Sequence, residues 1–165
     1  MRGTLVIALA RVDDRLMHGQ VSVGWVPHVR ATIVVVANDR IAADPRLSGI
    51  VRAGASGFRV ETLSVAEAAR RGASPEWERE TVIMLFERLQ DARRAIDAGL
   101  KVARLNLGGL RHEQGVVCLC DGVTLDSDDC AILRDLVARG VQVDVRLMPR
   151  DRACALPPLA RGGSR

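Results

Sequence analysis

TIVVVA, residues 32–37, followed at once by Asn38 and Asp39, decides the fold. Four consecutive β-branched apolar residues show no alternation with polar ones, so both faces of this strand must be covered. That is the pattern of a parallel strand with helices on either side. Outward from it the chain repeats one theme. Residues 5–10 form a first strand, and residues 19–29 a helix ended at or just beyond Pro27. Past Asn38 and Asp39, residues 43–53 read as a helix with Asp44 as N-cap and Pro45 in the first turn. Residues 58–63 are a strand, and 64–71 a helix with Ser64 and Glu67 spaced as a capping box. Residues 81–86 are a strand, and 87–98 a helix stopped by Gly99. Residues 102–107 are a strand opening onto Gly108-Gly109, and 115–125 a short irregular β segment. Residues 126–139 are the last long helix, stopped by Gly140, and 141–148 a final strand. This alternation predicts a single-domain α/β protein with a mostly parallel, doubly wound sheet and helices on both faces.

The bulk numbers agree with one domain. The chain has 165 residues, of which 48% are hydrophobic and 27% charged. No apolar run approaches the roughly 20 residues of a membrane span. Arg11, Asp13, Asp14 and Arg15 follow the first apolar stretch too closely for a secretory leader, so a cytoplasmic protein is expected. The domain is expected to cover residues 1–152, with 153–165, rich in Pro, Gly and Arg, a disordered tail. The net charge of +4 is spread among acids, Lys101 is the only lysine, and there are four aromatic residues. That lacks the concentrated basic stripe and stacking platform of a nucleic-acid surface, and no nucleic-acid partner is expected. Cys118, Cys120, Cys130 and Cys154 have no C-x-x-C spacing and no histidine cluster beside them. Buried or half-buried free thiols are expected, with no metal and no cofactor.

The chemistry concentrates in RVDDRLMHGQV, residues 11–21. In an open α/β sheet, ligands bind beyond the carboxyl ends of the strands, where this stretch lies. His18 falls at or just before a helix N-terminus, whose free N–H groups favour an anion. Arg11 and Arg15 supply guanidinium donors suited to phosphate oxygens. Asp14 or Asp13 is placed to orient the imidazole or an arginine. These parts suit a histidine that accepts a phosphoryl group and passes it on, with arginines and backbone amides in place of a metal. Asp13-Asp14 also has the look of the acidic pair of receiver domains. Such a domain needs an acceptor Asp after its third strand and a Lys after its fifth. Here strand three runs into Glu61-Thr62-Leu63 and Lys101 precedes strand five, so that alternative is set aside.

The same eleven residues, followed by Trp25, closely resemble the R-[IV]-D-D-R-L-I-H-G-Q-V…W signature of enzyme IIB subunits in the mannose/fructose/sorbose class of the sugar phosphotransferase system (PTS). The likeness continues through VVVANDRIAADP (residues 34–45), LSVAEAA (63–69), LNLGGLRHEQG (105–115) and LRDLVARGVQVDVRLMP (133–149), so it covers roughly residues 4–150. The resemblance implies that His18 takes a phosphoryl group from a histidine of a separate IIA protein, itself charged by the carrier HPr. It would then pass the group to a sugar bound by the membrane subunits IIC and IID, at the inner face of the membrane. Regulatory phosphorelay with the same His18 chemistry and no permease is the alternative. Arg11, Asp14 and Arg15 carry over as the surrounding loop, and Nδ1 as the phosphorylated nitrogen. Asn38–Asp39 and Gly108–Gly109 are expected to complete the pocket at neighbouring strand ends, with a tight turn the rival reading for the glycines. Gly19 and Gln20 are expected beside the phosphate, with helix capping an equal alternative for Gln20. Trp25 is expected to pack in the core or at a partner interface, and His28 and His112 to be surface residues. Met17 replaces the usual branched residue, and residues 115–126 depart from the family's pattern. A homodimer is compatible with the resemblance, and the sugar is left open.

Overall fold

The computed structural model describes residues 7–115 and 117–158. Strands β1 (Ile7–Asp13), β2 (Ile33–Ala37), β3 (Arg59–Leu63), β4 (Val82–Phe86), β5 (Arg104–Gly109) and β8 (Gln142–Val145) form one sheet in the order β3-β2-β4-β1-β5-β8. Every neighbouring pair in it is parallel. β6 (Val117–Cys120) and β7 (Val123–Leu125) make a separate antiparallel hairpin, which is the form taken by the irregular β segment. Residues 5 and 6 of the expected first strand lie outside the described residues, and β1 runs three residues further than expected, to Asp13.

β2 shows why its sequence is uninterrupted. Ile33, Val35 and Ala37 face one core, Val34 and Val36 the other, and all five are fully buried. The first core is covered by α4 (Val65–Gly72), α5 (Leu89–Asp97) and α6 (Ser127–Ala138). The second is covered by Val21, Trp25 and Val26, with α2 (Asp39–Ala43) and α3 (Pro45–Ala53). Local signals place these helices. Asp44 caps α3 by accepting from Arg46 N at 2.8 Å, and Ser64 caps α4 by accepting from Glu67 N at 3.1 Å. Asp126 and Asp129 form a full capping box at α6, and Gly99 and Gly140 stop their helices at φ of +105° and +89°.

Residues 20–29 differ from the expected α-helix. A π-helical segment, Gln20–Trp25, runs into a single α turn, α1 (Val26–Val29), ended by Arg30 at φ 55°. Pro27 supplies the reason: it has no N–H for an α-helical bond to Val23, and its ring would crowd that carbonyl, which a wider turn relieves. The expected tail is also partly ordered by contact. Cys154 N–H donates to Val145 O at 2.8 Å, and Leu156 packs on the first core, whereas residues 159–165 lie outside the described residues.

The topology locates the site. Connections running from β1 through β2 to β3 cross the second core's face, and those running from β3 through β4 and β5 to β8 cross the first. β1 and β5 are neighbours whose chains depart to opposite faces, so a crevice opens between their carboxyl ends.

Candidate functional site

Asp13 is the last residue of β1 and has no exposed side-chain surface. Its backbone carbonyl accepts from Leu16 N–H at 2.9 Å, and its Oδ1 accepts from Arg15 N–H at 3.1 Å. Leu16 sits at φ 53°, unusual for a bulky residue, with its side chain buried in the second core. This tight turn brings the chain back so that His18 Nε2 lies 2.8 Å from Asp13 Oδ2. The same Oδ2 accepts from Arg11 Nη2 at 2.8 Å, and Oδ1 accepts from Arg15 Nε at 3.1 Å. Burial alone would raise the Asp13 carboxyl. The hydrogen bonds from His18 and Arg15, with the charge of Arg11, outweigh it and hold the group well below the usual carboxylate range.

An ionised carboxylate only accepts, so Nε2 of His18 must carry the hydrogen. In the neutral ring the lone pair is then on Nδ1, which receives a long contact, 3.4 Å, from Gln20 N–H. The imidazole is 16% exposed, so one edge is open to a reactant. Arg15 lies beside it, 36% exposed, and donates to Gln20 Oε1 at 2.8 Å. Gly19, between them, has nothing within 4 Å of where a Cβ would stand, which leaves that approach clear.

Arg11 does not join that open face. Its side chain has no exposed surface, and its Nη1 donates to Asn106 Oδ1 and, at 3.3 Å, to Arg146 O. Its guanidinium lies 5.4 Å from the ring centre of Trp25, whose Nε1 donates to Leu147 O at 2.8 Å. Arg11 is therefore a buried counter-charge that positions Asp13, and a direct phosphate donor role does not fit its placement. Asn106 continues the network, donating to Asp144 Oδ2 at 3.0 Å, and Asp144 pairs with Arg146 at 2.8 Å.

Several expected site residues are reassigned. Asp13, not Asp14, orients the imidazole; Asp14 faces Arg111 at 3.5 Å. Gly108 and Gly109 end β5 and form no turn, and neither has a positive φ. They are needed for space: a Cβ on Gly108 would stand 1.8 Å from Arg11 Cζ, and one on Gly109 2.8 Å from Asp13 Oδ1. Asn38 and Asp39 hold other elements together. Asn38 caps α2 by accepting from Ile41 N–H at 2.9 Å and donates to Glu87 at 2.6 Å. Asp39 accepts from Val65 N–H at 2.8 Å and from Arg94 at 2.9 Å. Their groove is lined by Arg40, Glu87, Arg88 and Asp91 and contains no residue of the His18 loop. Asn106 and Asp144 were missed. Their signal was period-two placement in adjoining strands, which becomes legible only once β1, β5 and β8 are known to be neighbours.

A cleft of about 460 Å³ opens beside the loop, walled by Arg15, Gly108, Arg111 and His112 and by the β6–β7 hairpin. Cys118 in that hairpin is exposed rather than buried, and the other three cysteines are half-buried and free. Burial and the neighbouring Cys154 thiol push Cys120 up to about 12.

Fold and site together define an α/β protein with a partly exposed histidine just past the carboxyl end of the first strand, held by a buried carboxylate. Comparison with known proteins gives the particular kind. Residues 7–161 match the family model "PTS system sorbose subfamily IIB component". The sorbose-specific EIIB component of Lacticaseibacillus casei is 33% identical over 89% of this chain and 90% of its own length. The IIBSor domain of the Klebsiella pneumoniae sorbose permease superposes with a TM-score of 0.81 at 33% identity, covering 89% of this chain and 91% of that one. The mannose-specific EIIAB component of Escherichia coli K12 is 32% identical over 89% of this chain, which spans only 46% of that relative's length. The chain belongs to the sorbose-subfamily IIB components of the PTS, which are components of sugar phosphotransferases. Among the described residues no helix is long and apolar enough to cross a membrane.

Proposed function

We propose that this chain is a phosphocarrier of sugar uptake. His18 Nδ1 takes the phosphoryl group from a phosphohistidine of a IIA protein and delivers it to a sugar held by the membrane subunits IIC and IID, at their cytoplasmic face. The observation that supports this most is the 2.8 Å contact between His18 Nε2 and the ionised, buried Asp13, which fixes the nucleophilic tautomer.

In the first step the Nδ1 lone pair attacks phosphorus. The new N–P bond forms as the donor's N–P bond breaks, and the donor imidazole keeps that electron pair. The His18 ring gains positive character, which the Asp13 carboxylate steadies through the retained Nε2 hydrogen. Gln20 N–H, 3.4 Å from Nδ1, and the partly exposed Arg15 guanidinium are the donors nearest the ring that can offset the charge of the incoming oxygens. In the second step a sugar hydroxyl oxygen attacks, the O–P bond forms, the N–P bond breaks, and its pair returns to Nδ1. The hydroxyl proton leaves to a base.

The test is phosphoryl transfer from phosphorylated HPr and an active IIA onto the purified chain. Wild type should acquire one acid-labile, base-stable label, and His18→Ala none. Stoichiometric labelling of His18→Ala would overturn the assignment. Discharge is then followed with membrane vesicles carrying the IIC and IID subunits and a panel of mannose, fructose and sorbose.

A further inference from the structure

A second imidazole lines the cleft beside the loop, and a second buried carboxylate lies behind it. His112 Nε2 lies 2.6 Å from Asp129 Oδ2, with the Asp129 side chain 1% exposed and His112 31% exposed. The pairing matches that of His18 with Asp13: a buried carboxylate holds Nε2, and Nδ1 is left for other work. Asp126 Oδ2 lies 3.7 Å from that Nδ1, close enough to steady an imidazolium. The backbone is fixed as well, since His112 N–H donates to Thr124 Oγ1 at 2.8 Å. The preceding residue, Arg111, reaches Asp14 at 3.5 Å and so ties this segment to the His18 loop. Arg15 and Arg111 place two cations on the walls of the same cleft, which at about 460 Å³ has room for a monosaccharide.

The transfer described above needs a base for the sugar's hydroxyl proton. On the carrier reading, we propose that this cleft receives the hydroxyl-bearing end of the acceptor sugar and that His112 is its general base. The hydroxyl oxygen forms its bond to phosphorus while the His18 Nδ1–P bond breaks and returns its electron pair to Nδ1. The hydroxyl proton passes to His112 Nδ1 and from there to solvent. Asp129 keeps the ring in the accepting tautomer by taking the Nε2–H hydrogen bond.

The test separates loading of His18 from its discharge. Wild type, His112→Gln and His112→Ala are loaded with labelled phosphate through HPr and IIA, then mixed with the vesicles and sugar panel named above. All three should load, which also reports that the loop is folded. Discharge to sugar should fall about 100-fold in both variants, within the range for a lost general base. Added imidazole should recover part of the rate in His112→Ala, because a small base can fill the space left. Discharge at the wild-type rate in both variants overturns the proposal. Variants that fail to load beside a wild type that loads also overturn it, by making His112 a support of the loop. Failure of wild type itself to load sinks the carrier reading, and this proposal with it.

Discussion

One carboxylate, Asp13, meets two guanidinium groups and an imidazole while wholly buried. Its folded carboxyl is held below the ordinary value of about 3.9. A depressed carboxyl adds stability above the unfolded value and loses it as pH falls toward the folded one. The wild-type urea midpoint should therefore drop progressively below about pH 4. Asp13→Asn, which leaves Arg11 buried without its counter-charge, should unfold at lower urea at pH 7 and show a shallower acid limb. Midpoints measured from pH 7 down to pH 2 check this; an acid limb as steep as wild type would remove Asp13 from the role. His18, Arg15 and Gln20 were legible in the sequence as a charged loop at a strand's carboxyl end. The choice between adjacent aspartates was not, because it depends on where β1 ends. Had the strand been carried to residue 13, period two would have set Leu9, Arg11 and Asp13 on one face.

Among the elements, β5 shows how a strand can be shaped by a neighbour's side chain. Gly108 lies against the Arg11 guanidinium with no room for a methyl group. Gly108→Ala should cost about 1–3 kcal/mol as the arginine is driven off its partners, read as a lower midpoint in thermal unfolding. Gly49→Ala is the contrast: in α3 an added Cβ meets nothing within 4 Å, and the helix gains up to about 1 kcal/mol. Equal losses at both positions would mean that crowding by Arg11 is not the cause. Caps and stops such as Asp44, Ser64, Gly99 and Gly140 were readable because each acts on its own helix. Gly108 was not, since its requirement comes from Arg11 on a strand remote in sequence, where Arg11 also meets Asn106. The π segment was hidden for a related reason: its apolar spacing still suited a helix, and Pro27 changed only the winding.

The class of the whole molecule was written in the alternation of apolar runs and amphipathic segments, and the six-stranded parallel sheet agrees with it. Strand order was not, because periodicity describes each element alone. The order β3-β2-β4-β1-β5-β8 is what joins buried Arg11 and Asn106 to half-buried Asp144 in one line. It also sets a gradient of local stability. β2 and β4 are interior strands with every residue buried, whereas the β6–β7 hairpin meets the end of β5 through Leu110, which bonds Gly122 and Thr124. Hydrogen exchange should be slowest in β2 and β4 and faster by orders of magnitude in the hairpin. Uniform protection would contradict that gradient.

β8 closes one side of the sheet, and the segment carrying Cys154 lies along it through the bond to Val145 O. An open sheet edge is a template on which a second chain can add a strand. Because the segment that the sequence marked as a tail occupies part of that edge, a chain cut before Cys154 should lose solubility well before it loses its fold.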